Sequence, residues 1–241
     1  MNLRLLVVDA YAPAGRRALE ASGATRAGRL YERALREAGG DVEVEVVEAG
    51  EGAPDIGALE PNGFDGVVWT GSNLTVHEPD EMVRRQLRLA RAAFAAGVPQ
   101  FGSCWAIQLA AVAAGGVCAR NPRGREFGIA RAIAVTEGGA GHPLLRGRPP
   151  VFEGFASHED MVAVPPPGAL VLAGNQFCAV QALAVRHERG TFWATQYHPE
   201  YDFHEVARLA VLRREQLLRE RCFADEAEAD AFVADYDALH E

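Results

Sequence analysis

Lysine is absent: all 24 basic residues of this 241-residue chain are arginine. Mechanisms that need a Schiff-base or catalytic lysine are thereby excluded, and the bias reads as a property of the source genome. Cysteine is sparse. Cys104, Cys118, Cys178 and Cys222 form no CxxC pair, which leaves neither a zinc ribbon nor a redox dithiol. No apolar run approaches membrane-spanning length, and the opening MNLRLLVVDAY is a poor signal peptide. Free thiols then fit the cytoplasm, the expected compartment. Positive charge is also in deficit. A net charge of -9 argues against a nucleic-acid-binding surface, which would carry a basic patch.

Hydrophobic residues make up 49% of the chain, enough for a core that needs no disulfide or structural metal. Leu3 to Val8 reads as a strand buried on both faces, and Val42 to Val47, Gly66 to Trp69 and Val98 to Gly102 as further strands. Between them lie two amphipathic helices. One carries Ala27, Leu30, Tyr31, Ala34, Leu35 and Ala38, is capped by Thr25 and ends at Gly39 and Gly40. The other carries Val83, Leu87, Ala90 and Phe94 and stops at Gly97. A Gly/Pro/Asp-rich loop follows Val47, and a further helix runs from Cys104 to about Ala114. Strands alternating with helices predict an α/β fold with a mostly parallel sheet covered on both faces.

Beyond Arg125 the rhythm changes. Ala130 to Val135, Pro150 to Phe155, Met161 to Val164, Leu170 to Ala173, Ala179 to Val185 and Thr191 to Gln196 are short and strand-like, predicting an antiparallel extension. The end returns to helix, with a stripe of Val206, Leu209, Ala210 and Leu217 interrupted by Arg213. Ala224 to Glu241 forms a final acidic helix, read as a solvated cap on the sheet rather than a partner's docking site. With no internal repeat and no long linker, residues 1–241 are expected to form one domain.

The most informative segment is Phe101-Gly102-Ser103-Cys104-Trp105-Ala106-Ile107-Gln108. A strand ends at a small residue, a cysteine follows, and a helix begins at once, which is the pattern of a nucleophile elbow. Gly102 and Ala106 must be small because strand and helix approach closely there. A side chain at a helix N-terminus faces the positive end of the macrodipole, which favours an anionic sulfur. The backbone N–H of Trp105 would point to where an oxyanion forms. A buried core cysteine heading an apolar helix is the alternative.

A cysteine nucleophile needs a base, and the base an orienting group. Gln196-Tyr197-His198-Pro199-Glu200 offers both at the end of a strand that Pro199 interrupts. A surface turn with an incidental His and Glu is the competing reading. His198, Glu200, Asp202 and His204 also alternate like metal ligands on a strand, although Pro199 breaks that strand and a helix starts near Asp202. The loop Thr70-Gly71-Ser72-Asn73 would supply a second oxyanion donor, since a glycine lets backbone N–H groups approach a ligand.

Together these segments resemble the class I (triad) glutamine amidotransferases, particularly the glutaminase part of GMP synthase and its stand-alone relatives. The matching residues are Gly71, GSCWAIQ from Gly102 to Gln108, SHED from Ser157 to Asp160, and QYHPE from Gln196 to Glu200. The resemblance implies a flavodoxin-like sheet and no cofactor or metal. It implies Cys104 as nucleophile, His198 as base and acid, and Glu200 as orienter. It also implies an oxyanion hole of Trp105 with Gly71 or Ser72, and a substrate contact at Gln108. Ser157 and His158 match the loop that grips the substrate's amino-acid end through its backbone.

Two departures stand out: Ala106 replaces the family's glycine after the elbow, and Ser72 replaces the second glycine of the oxyanion loop. No SGGxDS or GxxxxGK[ST] phosphate loop is present, so any ammonia acceptor would be activated by a separate synthetase subunit. The implied reaction is hydrolysis of the glutamine γ-amide through a γ-glutamyl thioester. A stand-alone γ-glutamyl hydrolase or peptidase, acting on γ-glutamyl amides or glutathione-like peptides, is the alternative enzyme. A non-catalytic binding module is the third reading.

Overall fold

The computed structural model describes residues 3–49 and 63–240. In chain order, β1 (Leu3–Asp9), α1 (Pro13–Ala21), α2 (Ala27–Glu37) and β2 (Val42–Glu48) precede β3 (Gly66–Trp69), α3 (Glu81–Ala96), β4 (Gln100–Ser103) and α4 (Trp105–Ala113). Then come β5 (Val117–Arg120), β6 (Glu126–Val135), β7 (Val151–His158), β8 (Asp160–Val164), β9 (Ala169–Gly174), β10 (Ala182–His187) and β11 (Gly190–Thr195). The chain continues through α5 (Phe203–Leu212), α6 (Arg214–Arg219) and α7 (Glu226–His240). The Gly/Pro/Asp-rich loop expected after β2 falls mostly on residues 50–62, outside the described residues.

The main sheet has the order β2-β1-β3-β4-β11-β10-β9-β6-β7. Its first five strands pair in parallel, and the remainder pair antiparallel. The mostly parallel sheet with an antiparallel extension is therefore as the sequence predicts. β3 is buried along its whole length, as a short unalternating apolar run requires. α4 is apolar on nearly every side because it lies between the main sheet and the separate β5–β8 pair. Trp69, Phe94, Trp105, Ile107, Leu109 and Phe192 fill the space around it. At the start of α3, Asp80 accepts a hydrogen bond from Val83 N at 2.8 Å, and Gly97 ends the helix with φ +80°. No described helix is long and apolar enough to cross a membrane.

Several boundaries differ from the sequence reading. Thr25 does not cap α2. Arg26 occupies that position without a side-chain cap, and Thr25 N instead donates to Glu205 Oε2 at 3.0 Å. α1 and β5 were not expected. β6 begins earlier and β7 ends later because Glu126 pairs across to His158. Ser157 and His158 consequently sit on a strand end rather than in a loop. α7 uses its few apolar residues to pack Phe232 and Tyr236 against Phe127 of β6 and Phe203 of α5, so its cap covers one end of the extension and a helix.

Candidate active site

Cys104 joins β4 to α4 with φ 52° and ψ −97°, a conformation disfavoured for any residue with a Cβ. Three contacts hold it there. Cys104 N donates to Thr195 O of β11 at 2.7 Å. A Cβ on Gly102 would lie 2.3 Å from Trp69 O and 2.5 Å from the Ala106 methyl, so only glycine allows the strand to meet the helix. The Trp105 indole is buried and donates to Gln86 Oε1 at 2.7 Å, which anchors the first turn of α4. Ala106 itself fits without exposure, so the extra methyl at that position is accommodated.

Because β11 lies beside β4, the chain leaving β11 reaches the elbow. His198 N donates to Phe155 O at 2.7 Å, and Nδ1 of the ring lies 2.7 Å from Glu200 Oε1. Both side chains are almost completely buried. Ser103 Oγ donates to the same carboxylate oxygen at 2.8 Å. Tyr201 stacks on the imidazole, with ring centroids 3.8 Å apart and planes within 3°. Burial lowers the His198 pKa, but the Glu200 carboxylate and Cys104 outweigh it and raise the value to about 9.

Gly71 faces both groups: an added Cβ would sit 2.9 Å from His198 Cε1 and 3.9 Å from Cys104 Cβ. Its loop is pinned to the end of β1, where Ser72 Oγ donates to Ala10 O at 2.8 Å and Ala10 N donates to Thr70 Oγ1 at 3.0 Å. A cleft of about 150 Å³ opens at Cys104 and is lined by Ser72, Trp105, Gln108, Ser157 and His158. Gly71 borders Cys104 directly, so the predicted site residues come together around one sulfur. The His158 ring is turned away from substrate chemistry. Its Nε2 lies 3.0 Å from Glu126 Oε2 and its Nδ1 3.0 Å from Asp160 O.

The alternating metal-ligand set does not converge. Asp202 Oδ1 caps α5 by accepting from Glu205 N at 2.9 Å, and His204 Nε2 lies 3.2 Å from Gly23 O. Burial pushes the Cys118 thiol up to about 12 and the Cys178 thiol up to about 11. Neither lines the cleft.

Sequence reasoning missed Ser103, Tyr201 and Arg213. Ser103 and Tyr201 each adjoin a residue already singled out, and one alternating position on a strand or one stacking neighbour leaves no pattern to read. Arg213 did leave a signal, as the polar break in an apolar stripe. It separates α5 from α6 and lines the cleft.

Residues 27–214 match the family described as glutamine amidotransferase class-I. The gamma-glutamyl-L-1-hydroxyisopropylamide hydrolase of a Pseudomonas species is 34% identical over 202 residues, covering 83% of this chain and 68% of that protein. A glutamine-hydrolysing GMP synthase from Bordetella avium is 30% identical over 202 residues, which is 80% of this chain but 35% of that protein. The chain thus spans about a third of the GMP synthase it matches. A glutamine amidotransferase structure from Thermotoga maritima superposes with a TM-score of 0.70 at 15% identity, covering 98% of this chain and 93% of that one, a likeness of fold. The match over residues 27–214 places this chain in the class-I glutamine amidotransferase family.

Proposed function

We propose that the chain hydrolyses the side-chain amide of glutamine through Cys104, His198 and Glu200. The observation that carries this reading is the placement of His198 between Glu200, 2.7 Å from its Nδ1, and the strained elbow cysteine beside Gly71. The Cys104 sulfur, its proton held by His198, attacks the amide carbon. Negative charge collects on the carbonyl oxygen, facing the backbone N–H groups of Trp105 and of Gly71 or Ser72. Each such donor is worth about 3 kcal/mol. His198 then returns its proton to the departing ammonia, leaving a γ-glutamyl thioester. Water, deprotonated by His198, releases glutamate and restores the sulfur. Glu200 holds the imidazole in the required orientation and stabilises its cation. Similarity to GMP synthase supports transfer of the ammonia to a separate synthetase subunit.

A second reading is favoured by a specific observation, the 34% identity to a γ-glutamyl alkylamide hydrolase over 83% of this chain. In this reading Cys104, His198 and Glu200 of this chain act on the same γ-glutamyl half, and an alkylamine or amino acid leaves in place of ammonia. Offering glutamine, a γ-glutamyl alkylamide and glutathione separately to the purified chain distinguishes the two. Ammonia from glutamine supports the amidotransferase reading, and preferential cleavage of the alkylamide or glutathione the hydrolase reading. Either activity should fall at least about 1,000-fold in Cys104→Ser; unchanged turnover in that variant would remove Cys104 from the mechanism.

A further inference from the structure

The chain's acidic surplus makes an uncompensated cation in a cleft conspicuous. Two arginines line the cleft at Cys104, and they differ in their partners. Arg125 is neutralised, with Nε donating to Glu220 Oε2 at 2.6 Å and Nη2 lying 3.1 Å from Glu159. Arg213 lies within salt-bridge distance of no carboxylate among the described residues. Its Nη1 donates to Ser157 O at 3.3 Å and also to Ser157 Oγ, while Nε and Nη2 make no hydrogen bond within the described chain. The residue is half-buried. The break between α5 and α6, with φ −104° and ψ 13° at Arg213, turns its side chain toward the end of β7. Half of a planar donor fork, carrying full positive charge, is therefore available to an anion in the cleft.

The same cleft carries Asp160, which has no arginine within salt-bridge distance among the described residues and only the His77 ring nearby, at 3.7 Å. A lining that holds an unpaired guanidinium and a weakly paired carboxylate suits a ligand bearing both charges. We propose that Arg213 is a specificity-determining residue that binds the α-carboxylate of the γ-glutamyl substrate, fixing the amino-acid head so that the γ-amide reaches Cys104. This rests on the γ-glutamyl reading above. It goes beyond it by selecting substrates with a free α-carboxylate, whatever amine leaves from the other end.

A purely bracing role for Arg213, holding Ser157 in place, is the competing account, and ligand chemistry separates the two. In a Cys104→Ala background, which binds without turnover, ligand-observed NMR titration would compare glutamine with 4-aminobutanamide, its analogue lacking the α-carboxylate. Arg213→Gln should weaken glutamine binding on the order of 10- to 100-fold, the range of a charge-assisted hydrogen bond, and leave 4-aminobutanamide unaffected. Ser157→Ala, which removes the braced hydroxyl but keeps the cation, should bind glutamine much better than Arg213→Gln does. Equal weakening of both ligands, or no weakening of glutamine, overturns the proposal while leaving the γ-glutamyl reading intact. Failure of the Arg213-bearing protein to bind glutamine or any γ-glutamyl amide overturns both. If Arg213→Gln does not fold, Arg213→Lys carries the test. A lysine cannot reproduce the fork, so glutamine affinity should fall, and unchanged affinity overturns the proposal.

Discussion

Ser103 Oγ donates to Glu200 Oε1 at 2.8 Å, so the residue before the elbow cysteine holds the carboxylate that orients His198. The same oxygen lies 2.7 Å from His198 Nδ1, which makes Ser103 a positioning residue one step removed from the chemistry. Its hydroxyl also lies 3.4 Å from Nδ1 of the ring itself. Ser103→Ala should lower kcat on the order of 10-fold, the scale of a hydrogen bond to a buried charge, with little change in KM. Steady-state kinetics with the preferred γ-glutamyl substrate tests it, and an unchanged kcat would show that the Ser103 hydroxyl is not needed to hold the carboxylate.

Gly71 offers a test that separates activity from folding. Its φ is ordinary, since it is not among the positive-φ glycines, so alanine strains nothing in the backbone. The new methyl would lie 2.9 Å from His198 Cε1, and the ring cannot yield freely because Glu200 and Tyr201 hold it. Displacing a catalytic group by about 1 Å costs on the order of 100-fold in rate. Gly71→Ala should therefore lose activity on that scale when assayed well below its melting temperature, where the variant is still folded. Normal turnover would place the reacting geometry elsewhere.

Gly102→Ala acts on stability. Its methyl would come within 2.3 Å of Trp69 O and 2.5 Å of the Ala106 methyl, one a backbone atom and the other short and buried. Such overpacking costs about 1–3 kcal/mol. Urea denaturation should show a lower midpoint, and the double variant with Ala106→Gly should recover part of the loss. No recovery would mean that the clash with Trp69 O dominates.

The parts of the fold written in local pattern were legible. β1 and β3 show as apolar runs, α3 as a stripe between a cap and a glycine, and the elbow as a strand meeting a helix at Cys104. Parts that depend on distant partners were not. α1 is short and interrupted by charge. Its Arg16 is buried because Nη1 donates to Ala49 O at 2.8 Å, an acceptor more than thirty residues away. β5 has four residues, and its partner β8 follows about forty residues later. The polar ends of β6 and β7 read as loop because Glu126 and His158 look like surface residues. In the fold they join Asn175 and Gln181 in a buried network, which no periodicity reveals. Arg213 is the intermediate case. The interruption was visible, but only the fold brings it to Ser157.

The ionisation of His198 gives the last test. Burial works against its cation, yet Glu200 and then Cys104 raise its pKa from 6.5 to about 9. A folded-state pKa above the unfolded one means that the charged ring contributes stability fully below about pH 6.5, and that this contribution is lost as pH rises through about 9. The protonated ring is also the form that delivers a proton to the leaving amine, so kcat/KM should fall on an alkaline limb near pH 9. Glu200→Gln removes the largest cause of the rise while keeping the shape of the side chain. Its alkaline limb should move to lower pH, and its stability should begin to fall at lower pH as well. Matched pH–rate profiles and thermal melts of the parent and Glu200→Gln would show both shifts. An alkaline limb that stays in place in the variant would mean that the titrating group is not His198, whose Nδ1 lies 2.7 Å from the altered carboxylate.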